Sequence, residues 1–357
     1  MAVQGLDLTG FSEQLRGCDF SGSVFLGCAL ADDIQLEIIK SGGLHFPGIE
    51  GLPYKPFRGS LYNRKTLFDN YDPQNPGSYI ETTDWKIYQH YVKTGKDNPG
   101  SILESLARRL HDHAITDALT DFLHPFKEQF RIVAMMGGHS LSRDSSDYKK
   151  AAQISHTLSR AGFLMISGGG PGAMEAAHLG AWLSGYELHT LDQAIRILAD
   201  APGYKDREWL SKAFAVIEGF PFKKYRKGLG DSIGIPTWLY GHEPPTPFAS
   251  RIAKYFANSV REEGLLAIAK GGVIFAPGSA GTIQEIFQDA CQNHYKSFGI
   301  VSPMVFLNEE YWTHKKPVYP LLVQLAAGKE YAGFLSISDD VDPIVKKIVN
   351  FKPLPGM

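Results

Sequence analysis

The chain has 357 residues, 43% apolar and 21% charged, with 36 Lys+Arg against 38 Asp+Glu for a net charge of -2. That length and balance allow two or three domains around a sizeable core and exclude a disordered chain or a small disulfide-stapled scaffold. The near-neutral charge gives no reason to expect nucleic acid or a membrane surface as partner, and no apolar run is long enough to cross a bilayer. The opening MAVQGLDLTG lacks the form of a signal peptide, so a cytoplasmic address is expected. Cys18, Cys28 and Cys291 form no C-x-x-C pair, which fits a reducing compartment and argues against a Cys-based zinc site.

In chain order, residues 1–127 read as an accessory region. GCDFSGSVFLGC (17–28) alternates like a short strand pair, and Gly- and Pro-rich turns follow through 41–57 and 69–78. A helix is expected over 101–123, with Ile102, Leu106, Leu110, Ile115 and Leu119 as its apolar stripe. From 128 to 357 short apolar strands alternate with helices. Strands are expected at FRIVAMM, FLMIS, SIGIPTWLY, GVIFA, SPMVFLN and FLSIS, and helices at 145–162, 171–185, 248–271, 280–294, 318–328 and 342–350. Residues 187–230 read as a mostly helical insertion ending in the basic FKKYRKGLG. The fold class is therefore α/β, a doubly wound Rossmann-like parallel sheet with an N-terminal accessory region, whose ligands bind at the carboxyl ends of the strands.

Three of those strand ends are rich in glycine: MMGGHSLSRDS, MISGGGPGAM and FAPGSAGT. Glycine lets a ligand approach the main chain, and a helix starting just behind offers free N–H groups and a positive dipole end, so a phosphorylated ligand is expected. Gly168, Gly170 and Ala173 formally satisfy G-x-G-x-x-G/A, but no acidic residue ends a following strand, so a nicotinamide-dependent oxidoreductase is disfavoured. No GxxxxGKS is present, which argues against a P-loop NTPase. In 280–294 the apolar stripe is Ile283, Ile286, Phe287 and Ala290, leaving Glu285 on another face. It is either a solvated helix-start carboxylate or a group aimed at the strand ends.

ISGGGPGAMEAAHLGA (166–181), followed about a hundred residues later by APGSAGTIQE (276–285), resembles the Lonely Guy (LOG) family, often labelled lysine decarboxylase-like, with signatures GGGPGxMEAA and PGGxGTxxE. The likeness runs from about Phe130 to the C-terminus, interrupted by the insertion. It implies a nucleoside 5′-monophosphate phosphoribohydrolase that releases free base and ribose 5-phosphate, without metal or other cofactor, on a homodimer or larger homo-oligomer with the site near the subunit interface. It further implies that Gly278, Ser279, Gly281 and Thr282 hold the 5′-phosphate and that Glu285 is the catalytic carboxylate. Gly168, Gly169, Gly170, Gly172 and Met174 match a second nucleotide loop, and Gly137, Gly138 and Ser140 the loop after the first strand. The family's arginine falls by spacing on Arg261, with Arg251 as rival. Ser279 replaces a glycine, and Glu262 a lysine, of the family pattern. A decarboxylase would need a Schiff-base lysine, and none is singled out. A non-catalytic nucleotide sensor on the same loops is the alternative reading.

His111 and His113 are expected on the polar face of a helix rather than at a metal. The S-x-x-K match at Ser146 reads as a solvated face. YGHEPPTPF (240–248), with His242 and Glu243, is either a base-recognition or lid segment or a plain structural loop. The basic FKKYRKG (222–228) is a solvated face or a second anion site.

Overall fold

A computed structural model of the chain describes residues 1–126, 129–223 and 230–353. In chain order it contains β1 (Ala2–Gln4), α1 (Ser12–Leu15), β2 (Val24–Leu26), α2 (Asp32–Lys40), β3 (Leu44–Phe46), α3 (Arg64–Leu67), α4 (Thr83–Lys93) and α5 (Ile102–Leu123). β4 (Ile132–Met136), α6 (Ser146–Arg160), β5 (Leu164–Ser167), α7 (Ala173–Trp182), α8 (Leu188–Leu198), α9 (Trp209–Gly219), β6 (Ser232–Gly234), β7 (Arg251–Ile252) and α10 (Asn258–Ile268) follow. The chain closes with β8 (Val273–Phe275), α11 (Ala280–Tyr295), β9 (Met304–Leu307), α12 (Val318–Ala326), β10 (Leu335–Ser338) and α13 (Val341–Val349).

Seven strands form one all-parallel sheet in the order β10-β9-β8-β4-β5-β6-β7. Its central strands are continuous apolar runs because both faces are covered. Side chains alternate between two cores: Ile132, Ala134 and Met136 enter one, Val133 and Met135 the other. The chain walks outward from β4 to β7, then returns to β8 on the other side of β4. This places a topological switch point between β4 and β8, where a doubly wound sheet opens its ligand crevice. The fold is the expected Rossmann-like α/β sheet.

Several local expectations need correction. Residues 17–28 hold one strand, β2, and it pairs in parallel with β1 and β3 rather than forming a hairpin with its neighbour. This small sheet has its own core of Phe20, Phe25, Ile34 and Ile38. SIGIPTWLY yields only the three residues of β6 before Thr237 starts a short 3-10 turn. The helix expected over 248–271 is shorter: its first part is the edge strand β7 and an extended stretch, and helix begins at Asn258. Buried contacts of Ile252, Tyr255 and Phe256 hold that stretch extended.

The apolar stripe expected on α5 is also misplaced at its start. Ile102 is 90% exposed and Leu106 is exposed, while the buried face carries Glu104, Arg108, His111 and Asp112. Residues from Leu61 through Ile115 share the same buried cluster as the main sheet, so this stretch packs as part of the sheet's core. Tyr62 bridges Ile252 antiparallel, covering the exposed edge of β7. No helix among the described residues is long and apolar enough to cross a membrane.

Candidate active site

The sheet order makes β8, β4 and β5 immediate neighbours, so the three glycine-rich strand ends meet at the switch point. They line a cleft of about 450 Å³ together with Pro236, Thr237, Tyr240, Glu243, Arg261 and Glu285. Of the residues singled out in the sequence, Gly137, Gly138, Ser140, Gly168, Gly170, Met174, Ser279, Gly281, Thr282, Glu285 and Arg261 all face this space.

Gly169, Gly172 and Gly278 stand behind the wall and hold the loops together. Gly169 and Gly172 take φ of 69° and 68°, the left-handed region that glycine occupies without strain. The Gly169 carbonyl accepts the N–H of Thr246, tying the second loop to the 240–248 segment. Gly172 packs on the backbone of Gly138 and His139, where a Cβ would lie 2.8 Å from the His139 carbonyl carbon. Gly278 packs on Thr282, and its carbonyl accepts the hydroxyl of Tyr311 at 2.5 Å.

α11 opens directly onto the cleft. Its N-cap, Ser279, has an ordinary φ of -112°, so replacing glycine here costs no strain, and no side chain caps the helix. The first-turn N–H groups are thus open toward the cleft, with the positive end of the helix dipole behind them. Lys316 donates to Ser279 Oγ at 2.9 Å, adding a cation at the same point. The arrangement suits an anion such as phosphate.

Arg261 and Glu285 sit deeper. Arg261 is buried on α10, and its Nη1 lies 3.5 Å from Glu285 Oε1. Nη2 donates to Asn258 Oδ1 at 2.8 Å and to Glu262 Oε1 at 3.2 Å, while Asn258 Nδ2 donates to Glu262 Oε1 at 2.8 Å. Asn258, which also accepts from Nε at 3.3 Å, and Glu262 together fix the guanidinium. Burial pushes the Glu285 carboxyl up to about 7; Arg261 pulls it down and Glu262 pushes it up. Glu285 is not a solvated helix-start residue. Arg251, the rival arginine, lies on the edge strand β7 outside the cleft, over the ring of Phe122.

The 240–248 loop contributes Tyr240 and Glu243 to the cleft. Glu243 is 12% exposed, with His139 Nδ1 at 3.4 Å and His242 Nε2 at 3.7 Å. Burial raises its carboxyl above the ordinary range and, with Lys205 nearby, lowers His139. The acidic residue of GGGPGAMEAA, Glu175, is by contrast sealed in the core. Both its oxygens accept from Arg143, at 2.6 and 2.8 Å, and Tyr148 donates to it at 3.0 Å. It braces α7 against the loop before α6.

His111 departs from its expected place on a polar face. It is fully buried, with Nδ1 3.1 Å from Asp112 Oδ1 and Nε2 2.9 Å from the Tyr62 hydroxyl, while His113 is exposed. Among the described residues no group of three or more His, Cys, Asp or Glu is placed to hold a metal ion. Lys149, of the S-x-x-K match, pairs with Asp192 at 2.7 Å on a half-exposed face. The second anion site considered at 222–228 falls largely on residues 224–229, outside the described residues.

No protein-family model matches the chain, and no curated protein matches it. Among solved structures it is similar to the molybdenum cofactor binding protein from the phototrophic bacterium Rippkaea orientalis, at 16% identity over 61% of this chain and 94% of that chain, with a TM-score of 0.38. It is also similar to the molybdenum cofactor carrier protein from Chlamydomonas reinhardtii, at 14% identity over 61% of this chain and 94% of that one, with a TM-score of 0.35. These overlaps are too loose to identify a ligand or an activity.

Proposed function

We propose that the chain is a nucleoside 5′-monophosphate phosphoribohydrolase. The observation that carries this reading is the buried Arg261–Glu285 pair, set in a cleft whose mouth is an uncapped helix start flanked by glycine loops. The 5′-phosphate docks on the N–H groups of Gly281 and Thr282, with Lys316 beside them. Glu285 then lies one helical turn further in, at the depth of the ribose.

Water adds at C1′ as the C1′–N bond breaks, and the base departs with a proton. The transition state is oxocarbenium-like, so the Glu285 carboxylate stabilises its positive charge and orients the water. Arg261 offsets part of the upward push that burial gives the Glu285 carboxyl and so favours its ionised form, and phosphate binding away from the reacting bond supplies the positioning. The resemblance also implies a homodimer or larger homo-oligomer, which sedimentation of the purified protein checks. A cytoplasmic address suits both the substrate and the exposed thiols of Cys18 and Cys291.

The test is incubation with AMP, GMP, IMP, CMP and UMP, with free base and ribose 5-phosphate separated by chromatography. Equimolar release of both supports the reading. Binding without release from any of the five supports the sensor instead.

A further inference from the structure

We propose that Glu243 reads the edge of the base and makes the cleft selective for guanine, whose N1–H and 2-amino group lie side by side. The inference rests on the phosphoribohydrolase reading and adds the base.

The cleft crosses four adjacent strand ends: β8, β4, β5 and β6. Strands lie about 4.8 Å apart, so three steps span about 14 Å, comparable with an extended nucleoside monophosphate. Ser279, Lys316 and the start of α11 mark the anion end, beyond β8. The landmarks between are placed by the two glycines they flank. A methyl group placed on Gly168 would lie 3.5 Å from Arg261 Nη1 and 2.7 Å from Met174 Sδ; one on Gly170 would lie 2.9 Å from Met174 Cε and 3.9 Å from Glu243 Oε2. Moving away from the phosphate, a ligand therefore meets Arg261, then the Met174 thioether, then Glu243. A thioether is a good floor for an aromatic ring, which places the base over Met174 and its edge at Glu243.

Glu243 is built for such a role. Its N–H donates to the Tyr240 carbonyl, and Thr246 N–H donates to the Gly169 carbonyl, fixing the loop on both sides. Its carboxylate is largely buried yet lines the cleft, with two imidazole nitrogens at 3.4 and 3.7 Å. No described residue donates a hydrogen bond to it. A desolvated carboxylate lacking donors gains most from a partner that supplies two. Guanine offers two parallel N–H donors, one to each oxygen. Hypoxanthine offers one. Adenine and cytosine set a ring-nitrogen acceptor beside the amino group, which the second oxygen repels, and uracil flanks its N–H with two carbonyls.

The experiment compares kcat/KM for GMP, IMP and AMP in the wild type and in Glu243→Gln, with calorimetric binding of GMP and IMP to both. One charge-assisted hydrogen bond corresponds to roughly 10- to 100-fold, so GMP should exceed IMP by at least about tenfold. Glu243→Gln should bring that ratio within about threefold, because an amide opposes one N–H with another. Equal use of GMP and IMP, a preference for AMP, or a ratio unchanged in Glu243→Gln overturns the proposal. If no monophosphate is hydrolysed but GMP still binds more tightly than IMP in a Glu243-dependent way, the hydrolase reading fails and the base assignment stands. Hydrolysis with no Glu243-dependent preference gives the reverse, and binding of neither nucleotide overturns both.

Discussion

Asp112 and Ala257 meet across the junction between the N-terminal region and the sheet: the Asp112 Oδ2 accepts the Ala257 N–H at 2.8 Å, and its Oδ1 accepts the Phe256 N–H at 2.9 Å. Ala257 is the N-cap of α10, which carries Arg261 and has no side-chain cap of its own. Asp112 therefore caps from another element the helix that delivers the site arginine. Two residues upstream of that pair, buried Lys254 binds buried Asp84 of α4 at 2.5 Å. The N-terminal region thus pins residues 254–257 from two sides.

Asp112 is a positioning residue under this account. Asp112→Asn should cost about 2–4 kcal/mol of stability, because one buried backbone N–H loses its acceptor and the charge is gone. It should also lower kcat/KM about tenfold. An Arg261 that sits further from Glu285 lowers its pKa less, so the acid limb of the kcat/KM profile should move to higher pH. Lost stability with an unmoved limb and unchanged kcat/KM would leave Asp112 a purely structural cap.

Glu285 sets the pH dependence. Its carboxyl is raised from an ordinary 4.5 to about 7, so kcat/KM should rise with pH through about 7 as the active carboxylate forms. Stability should run the other way. Between about 4.5 and 7 the folded state keeps a proton that the unfolded state has lost, so stability falls as pH rises through that window. Asp289, raised by burial to about 8, acts in the same direction. Glu285→Gln should be more stable than the wild type at pH 8 and indistinguishable from it at pH 4, as read by urea denaturation.

Two glycines at the junction of β8 and α11 should respond differently to alanine. Gly278→Ala would drive a methyl group into Thr282, whose Cβ would lie 2.6 Å away, so both stability and nucleotide binding should fall. At Gly281 nothing lies within 4 Å of an added Cβ. Gly281→Ala should leave the melting temperature unchanged and weaken nucleotide binding, because the methyl group enters the space assigned to phosphate. Calorimetry and thermal melting on the same two variants check the split.

Much of the sheet was legible because its strands are buried on both faces and read as unbroken apolar runs. The glycine loops were legible because close approach and left-handed turns admit few other residues. The 248–257 stretch was not, since its extended form is imposed by partners far away in sequence: Tyr62, Asp84 and Asp112. The buried face of α5 was missed for a related reason. Its Glu104, Arg108, His111 and Asp112 are polar groups buried because each finds a partner, which hydrophobic periodicity does not register. Lys316 and His139 gave no pattern of their own; only their position after β9 and β4 marked them. Glu175 shows the converse, a carboxylate inside a recognisable motif that serves packing.

The most direct test of the central claim is Glu285→Gln assayed for binding and turnover together on the monophosphate that the wild type uses best. The account predicts that nucleotide binding persists within about threefold while release of free base and ribose 5-phosphate falls by about 10²-fold or more, the loss expected when a charge that stabilises the transition state is removed. Release at the wild-type rate from Glu285→Gln would contradict it.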